Sequence, residues 1–401
     1  MSVLWSSLLW LLAAVAVLPA LLVCLEVAAA VFGRRWPAAR LGERPRLTVI
    51  VPAHNEEGSL TRILTVLKAQ LVPGDRLLVV ADCCTDSTAS VATAMDAEVL
   101  VRPVAEGRGK GFALAAALDF LAGDPPEVVA VFDADTVLEA GVLDRAARLV
   151  RQTGRPVQAV TRPWLPGLSA PVACAAGFAF AFRNVVRQRG LFMLGLPAHL
   201  NGTAMFIPWY AARAVKWGHG RLAEDMELGW DLVKAGHPPL LDFLSSVSTP
   251  IGAGSSLTLR QRRRWIHGHL NLLRKKSWSL LTRALSRRDV RGVFFALDAA
   301  SPPLSLTLAL LISVVVFGAI AVRAGTPAGP VWLAGGILVL AMACLSIAWW
   351  RFGREVLPPR RLHGVPWLLI LQVPTFLRYL VVRERFWTDR PEHRTAEARR
   401  D

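Results

Sequence analysis

Val128-Val129-Ala130-Val131-Phe132-Asp133-Ala134-Asp135 carries the chain from five apolar residues into two carboxylates. The run is rich in β-branched residues and ends in polar ones, so it reads as a strand buried on both faces, as strands of parallel sheets are. Ligands in open α/β sheets bind where the carboxyl ends of strands meet loops and helix N-termini. Asp133 and Asp135, with Ala134 between them, therefore stand where a ligand would bind. Their hard oxygens suit a Mg²⁺ or Mn²⁺ ion that also binds diphosphate oxygens. In isolation, two acids so spaced also arise in surface loops; the strand before them is what favours the chemical reading.

Outward from this stretch, between about Arg46 and Leu244, short β-rich runs alternate with helical stretches. The runs are Leu47–Val51, Arg76–Ala81, Glu98–Val101 and Val157–Val160, each ending in a polar loop. That alternation predicts a parallel, doubly wound sheet. The first strand leads into Pro52-Ala53-His54-Asn55-Glu56, where Asn55 and Glu56 offer a donor and an acceptor to a base or ribose. The same two residues would also serve to cap a helix beginning near Ser59. After the second strand, Asp82 is placed to accept from a uracil-like edge and Asp86 reads as a helix cap. The vicinal Cys83 and Cys84 read as packing.

The rest of the chain is apolar in long blocks. Hydrophobic residues make up 53% of 401, with a mean hydropathy of +0.41, beyond the range of an ordinary soluble protein. Leu4 to Phe32 is apolar except for Ser6, Ser7 and Glu26, and is followed by Arg34, Arg35 and Arg40. With no basic residue in Met1–Ser7, it reads as a span with an external N-terminus rather than a cleaved signal. Leu304–Val322 and Val331–Trp350 read as two further spans, with Arg351, Arg354, Arg360 and Arg361 marking the cytosolic side. Leu257–Leu281 mixes Arg and Lys with Trp265, Ile266, Leu270 and Trp278, the composition of a helix in the membrane interface or of a solvated surface helix. Val365–Val382 contains Pro366, Gln372, Pro374 and Arg378, with basic residues at both ends. Spanning would place the Arg-rich tail outside, so an interfacial or re-entrant helix is expected. The expected divisions are 1–36, 45–255, 256–292, 293–352 and 353–401: a span, the α/β domain, amphipathic interfacial helices, two spans, then the interfacial helix and basic tail.

The net charge of +16 lies largely beside these apolar blocks, where the positive-inside rule accounts for it. No nucleic-acid-binding module accompanies it, so nucleic acid is not an expected partner. The five cysteines form no C-x-x-C pair or disulfide framework, which fits a reducing cytosolic face.

The order and context of these motifs resemble glycosyltransferase family 2, the inverting enzymes with a GT-A fold, over about Arg46 to Asn271. The resemblance implies a cytosolic α/β GT-A (Rossmann-like) domain that binds a nucleotide-sugar, UDP-linked in the first instance. Pro52 to Glu56 and Asp82 would then hold the nucleoside. The Glu106-Gly107-Arg108-Gly109-Lys110-Gly111 segment would bring Lys110 and a helix N-terminus to the diphosphate; a plain glycine turn entering a helix is the simpler reading of it. The resemblance assigns Asp133, Ala134 and Asp135 to donor and metal, with Asp135 the direct metal ligand. It makes Asp225 the catalytic base, with Glu224 beside the acceptor. By themselves these two acids read only as helix-start charges complementing the dipole. Ala223 stands where many relatives have Thr.

Gln261-Arg262-Arg263-Arg264-Trp265 matches the Q-x-x-R-W pattern of membrane-integrated relatives. Arg264 can pair with diphosphate through its planar fork, and Gln261 and Trp265 can border the acceptor. His199 to Phe206 resembles the segment beside the acceptor, where Gly202 and Thr203 would permit close approach of a sugar. The expected activity is transfer to a lipid-linked or growing saccharide at a bacterial inner membrane. A processive synthase that exports its polymer, aided by partner subunits, is the main alternative. A nucleotidyl- or phosphotransferase and a silent scaffold are the readings from other classes.

Overall fold

The computed structural model describes residues 2–33, 42–103, 109–165, 170–218, 223–252 and 255–381. It divides into two compact units. A sheet unit comprises Pro37–Trp164 and Pro197–Pro250, and a helical unit comprises Met1–Trp36, Leu165–Leu196 and Ile251–Arg383.

In chain order, α1 (Ser2–Phe32) precedes β1 (Leu47–Ala53), α2 (Glu57–Lys68), β2 (Arg76–Asp82), α3 (Thr88–Ala94) and β3 (Glu98–Arg102). There follow α4 (Lys110–Leu121), β4 (Val128–Val131), β5 (Val137–Leu138), α5 (Val142–Thr153) and β6 (Val157–Trp164). Next come α6 (Pro171–Ala181), a π-helical turn (Phe182–Arg187), α7 (Gln188–Met193), β7 (Met205–Pro208), α8 (Trp209–Arg213), α9 (Glu224–Ala235) and β8 (Leu240–Pro250). The chain continues as α10 (Ser255–Ser286), α11 (Val290–Ala299), α12 (Leu304–Arg323), α13 (Gly329–Ala348) and α14 (Gly364–Val381).

Period-two alternation sorts the strand residues of the sheet unit onto two faces. Leu47, Val49, Val51, Val128, Ala130 and Phe132 pack against Leu60, Ile63, Leu64 and Leu67 of α2 and the apolar stripe of α5. Ile50, Leu78, Val80, Val129 and Val131 pack against Ala113, Leu114, Ala117 and Leu121 of α4 and against Leu228 and Leu232 of α9. Covered on both faces, the strands read as continuous apolar runs. The sheet order is β3-β2-β1-β4-β7-β6-β8-β5.

The expectation of a parallel sheet holds for six of its eight strands, β6 and β8 being parallel neighbours as well. β3, β2, β1 and β4 are parallel neighbours, whereas β7 runs antiparallel between β4 and β6, and β5 runs antiparallel to β8. β7 has four residues and ends in Pro208, too short a run for its direction to be read from periodicity. The result is a mixed α/β sheet whose parallel strands β1, β2 and β4 deliver their ends to one edge. Residues 165–196, expected within the α/β domain, belong to the helical unit.

In the helical unit, Ala13, Ala16 and Ala20 of α1 are buried against Leu311 and Val314 of α12 and Ala334 of α13. Small residues at this spacing let helix backbones approach closely. Glu26 of α1 and Asp298 of α11 both pair with Arg187, whose Nε lies 2.5 Å from Glu26 Oε2. Gly190 sits against this point, and a Cβ there would stand 2.2 Å from the Glu26 carbonyl oxygen. Among the described residues, four helical segments are long and apolar enough to cross a membrane: Trp5–Phe32, Leu304–Arg323, Gly329–Gly353 and Pro359–Val381. The last is the least apolar, with a mean hydropathy of 1.4 against 2.3 to 2.8 for the others.

Candidate active site

The chain turns at Asp133, one residue past Phe132, whose N–H still reaches the Ile50 carbonyl at 3.0 Å. The Asp133 N–H donates to Thr203 Oγ1 at 3.1 Å, and Thr203 Oγ1 in turn lies 2.7 Å from Thr136 Oγ1. This fixes the first acid of the pair to the segment before β7. Asp133 and Asp135 are half-buried and Ala134 between them is buried.

Lys110 opens α4, and its Nζ forms an ion pair with Asp133 Oδ1. The same ammonium donates to the Gly202 carbonyl at 2.5 Å. Gly202 has φ +85, a conformation that suits glycine. A Cβ at this position would stand 3.2 Å from Asp225 Oδ2 and 3.3 Å from Lys110 Nζ. Glycine therefore lets the acid of α9 and the ammonium of α4 approach one point. Asp225 Oδ1 also accepts the Met226 N–H at 2.8 Å, holding the carboxylate at the helix N-terminus, where the dipole favours negative charge. Lys110, Met205, Trp217, Glu224, Asp225 and Leu228 line one pocket.

The charges in this pocket act on one another. Burial pushes the Glu224 carboxyl up to about 7, helped by the negative charge of Asp225 and opposed by Lys110. Burial lowers the affinity of Lys110 for its proton, but Asp133, Glu224 and Asp225 outweigh it, so its pKa is raised.

The first loop is built less openly than its sequence suggests. Asn55, at φ +53, donates through Nδ2 to Thr85 Oγ1 at 3.1 Å and accepts from the Thr85 N–H at 2.8 Å. Glu56 accepts from Ser59 Oγ at 2.6 Å, and its N–H donates to Thr88 Oγ1 at 2.9 Å. Asp86 accepts from the N–H groups of Thr88 at 3.0 Å and Glu57 at 3.2 Å, the expected capping role. Burial works against ionisation of Asp86, but these bonds prevail and lower its pKa. Pro52 and Ala53 end β1, and the Ala53 carbonyl receives the Cys84 thiol at 3.4 Å.

Asp82 is 5% exposed and ion-paired with Arg102, and the Gly109 N–H approaches its other oxygen at 3.3 Å. Arg102 is a partner that sequence reading missed. Thr203 is 1% exposed, and its hydroxyl bonds to the Asp133 N–H and to Thr136 Oγ1.

Of the Gly-Lys segment, 104–108 lie outside the described residues, so Glu106, Gly107 and Arg108 are not placed. Among the described residues no group of three His, Cys, Asp or Glu is placed to hold a metal ion, so Asp133 and Asp135 would need oxygens from a ligand to fill a cation's coordination shell. Gln261, Arg264 and Trp265 lie on α10 in the helical unit. The Trp265 ring packs on Phe180 with centroids 5.5 Å apart.

The family described as glycosyltransferase-like family 2 matches residues 45–268. The chain belongs to this family. It is 38% identical over 126 residues to an uncharacterized glycosyltransferase of Mycobacterium bovis, a match covering 30% of this chain and 53% of that protein. Over 111 residues it is 32% identical to the low-salt glycan biosynthesis hexosyltransferase Agl6 of Haloferax volcanii, covering 27% of this chain and 25% of that one. The aligned region spans about half the length of the first of these relatives. Among solved structures, the mannosyltransferase PcManGT of Pyrobaculum calidifontis, in complex with GDP-Man and Mn²⁺, matches 92% of this chain and 99% of its own. Its TM-score is 0.56 at 17% identity, a likeness of fold. The fold is that of GT-A glycosyltransferases, joined to long apolar helices.

Proposed function

We propose that this family 2 member is a membrane-bound inverting glycosyltransferase that moves a sugar from a nucleotide-sugar to a lipid-linked or growing saccharide acceptor. The convergence of Lys110, Asp133, Gly202 and Asp225 at the edge where the parallel strands end carries the reading. A UDP-sugar is the first choice of donor. PcManGT, which shares the fold, was solved with GDP-Man and Mn²⁺, so a GDP-sugar is the second.

Asp133 and Asp135 fit Mg²⁺ or Mn²⁺, because both offer hard carboxylate oxygens at a strand end. Such an ion would neutralise charge on a bound diphosphate as it departs. Lys110 neutralises charge at the same place, and its tether to Gly202 keeps the ammonium in position. Asp225, beside Gly202, removes the acceptor hydroxyl proton as that oxygen bonds to the anomeric carbon and the diphosphate leaves. One base suffices for single inversion. The Asn55 and Asp82 loops border the nucleoside, and Arg264 and Trp265 serve the diphosphate and the acceptor.

In the membrane, α1, α12 and α13 cross, with the N-terminus outside and the sheet unit cytosolic in a bacterial inner membrane. Three crossings favour single addition over a self-contained export channel. Incubating the purified protein with radiolabelled UDP- and GDP-sugars, Mn²⁺ and extracted lipid tests the reading. Labelled glycolipid or glycan is expected; donors recovered intact under every metal would overturn it.

A further inference from the structure

Gln372 is 1% exposed in the middle of a largely apolar helix. A buried amide in such a place is costly unless its groups are bonded, and here they are. With its carbonyl oxygen turned to Arg262, Gln372 accepts from Arg262 Nε and Nη2 at 3.0 Å each and donates to Ser305 Oγ at 2.8 Å.

The bond is the first of three that advance in step along α10 and α14. His267 Nε2 lies 3.2 Å from the Thr375 carbonyl, and Tyr379 Oη donates to Asn271 Oδ1 at 3.1 Å. At roughly 1.5 Å per residue, 262 to 271 covers about 13 Å of α10 and 372 to 379 about 10 Å of α14. Two helices tied over such lengths in the same direction lie side by side.

α10 contains Arg262, Arg263, Arg264, Arg274, Lys275 and Lys276, far too many charges for the hydrocarbon core. It belongs at the surface of the bilayer, and a helix running beside it belongs there too. The opposite side of α14 shows what it faces: Trp367 (58%), Ile370, Leu377 and Leu380 (72%) are exposed. Its start packs on α6, where Gly364 lies so close that a Cβ would stand 2.2 Å from the Pro171 carbonyl oxygen.

We infer that α14 lies in the membrane interface beside α10 instead of crossing the bilayer, and that Gln372 is a positioning residue holding Arg262 and with it the Gln261–Trp265 segment. The role of that segment in sugar transfer rests on the function proposed above; the placement of α14 does not. The neighbourhood of Arg262 makes an acceptor there valuable: burial and the charge of Arg183 push its pKa down to about 10. Removing the Gln372 carbonyl would leave the guanidinium without this neutral partner.

Two experiments on the full-length protein in membrane vesicles test the inference. Trp367→Cys and Val381→Cys, each in an active background lacking the native cysteines, are probed with an impermeant maleimide from either side. Labelling of both from the cytosolic side alone is expected; labelling from opposite sides overturns the interfacial placement. Gln372→Leu is then compared with Gln372→Glu, which restores an acceptor. The Leu variant should lose about tenfold in kcat with donor KM unchanged, and amides of 262–271 should exchange faster with deuterium, while Glu recovers both. A Leu variant matching the native protein in rate and exchange overturns the positioning role. Faster exchange in a protein whose native form transfers no sugar supports the clamp and overturns the sugar-transfer reading.

Discussion

Lys110 pairs with Asp133 while also facing Glu224 and Asp225, so one ammonium answers three carboxylates. Fully ionised, the group would carry two net negative charges at the place where a diphosphate is proposed to bind. Glu224, with its pKa pushed up to about 7, is the residue that relieves this by keeping a proton.

The pH dependence follows from that proton. Below about 7 the four groups carry one net negative charge, and above it two. Donor KM should therefore rise as pH passes through 7, because an anionic donor meets the added charge. In Glu224→Gln the rise should vanish. Stability has its own sign: the folded protein keeps a proton that the unfolded chain releases above its ordinary 4.5, so Glu224 costs stability progressively between 4.5 and about 7. The Gln variant should show a flatter stability profile across that window, read by thermal melting at stepped pH. A donor KM profile identical in both proteins would remove Glu224 from the site.

Asp225→Asn keeps the shape of the side chain and removes its basicity. Transfer should fall by about 10²–10⁴-fold, the usual contribution of a general base. Binding of UDP or GDP, measured by calorimetry, should stay within a few-fold. A variant with comparable turnover would return Asp225 to the simpler role of a charge at the start of α9.

Asp135→Ala tests the metal assignment separately. Nucleotide affinity with Mn²⁺ should fall at least tenfold, while affinity in chelator should change little. An equal loss under both conditions would mean that Asp135 supports the loop without serving the cation.

The parts of the site that sequence reveals are those fixed by local context. The position of Asp133 and Asp135 was legible because a buried strand delivers them, whereas the role of Asp225 stands only on what the family resemblance implies. The parts that escaped depend on pairing across the fold. Arg102 meets Asp82 through the parallel register of β2 and β3, and no feature near either residue announces it. The Thr203 hydroxyl meets the Asp133 N–H through the antiparallel approach of β7. Strand direction has no signature in runs of two or four residues, so the reversal of β5 and β7 could not be read from periodicity. The departure of 165–196 into the helical unit was hidden likewise, since Pro171–Ala181 is small and apolar and suits either environment.

Arg187 is the remaining place where charge and burial bear on one another, here without any proposed role in chemistry. It serves both Glu26 and Asp298, which are 2% and 5% exposed. Arg187→Leu would leave two buried carboxylates facing each other, a loss of about 3–5 kcal/mol by comparison with other broken buried pairs. The melting temperature of the purified protein should drop sharply. Replacing Glu26, Arg187 and Asp298 together by Leu should recover most of the loss, because apolar residues remove the desolvation cost along with the pairing. If the single variant melts with the native protein, the three charges do not hold α1 to α11. If the triple variant is as unstable as the single, their hydrogen bonds specify a packing that apolar side chains cannot reproduce.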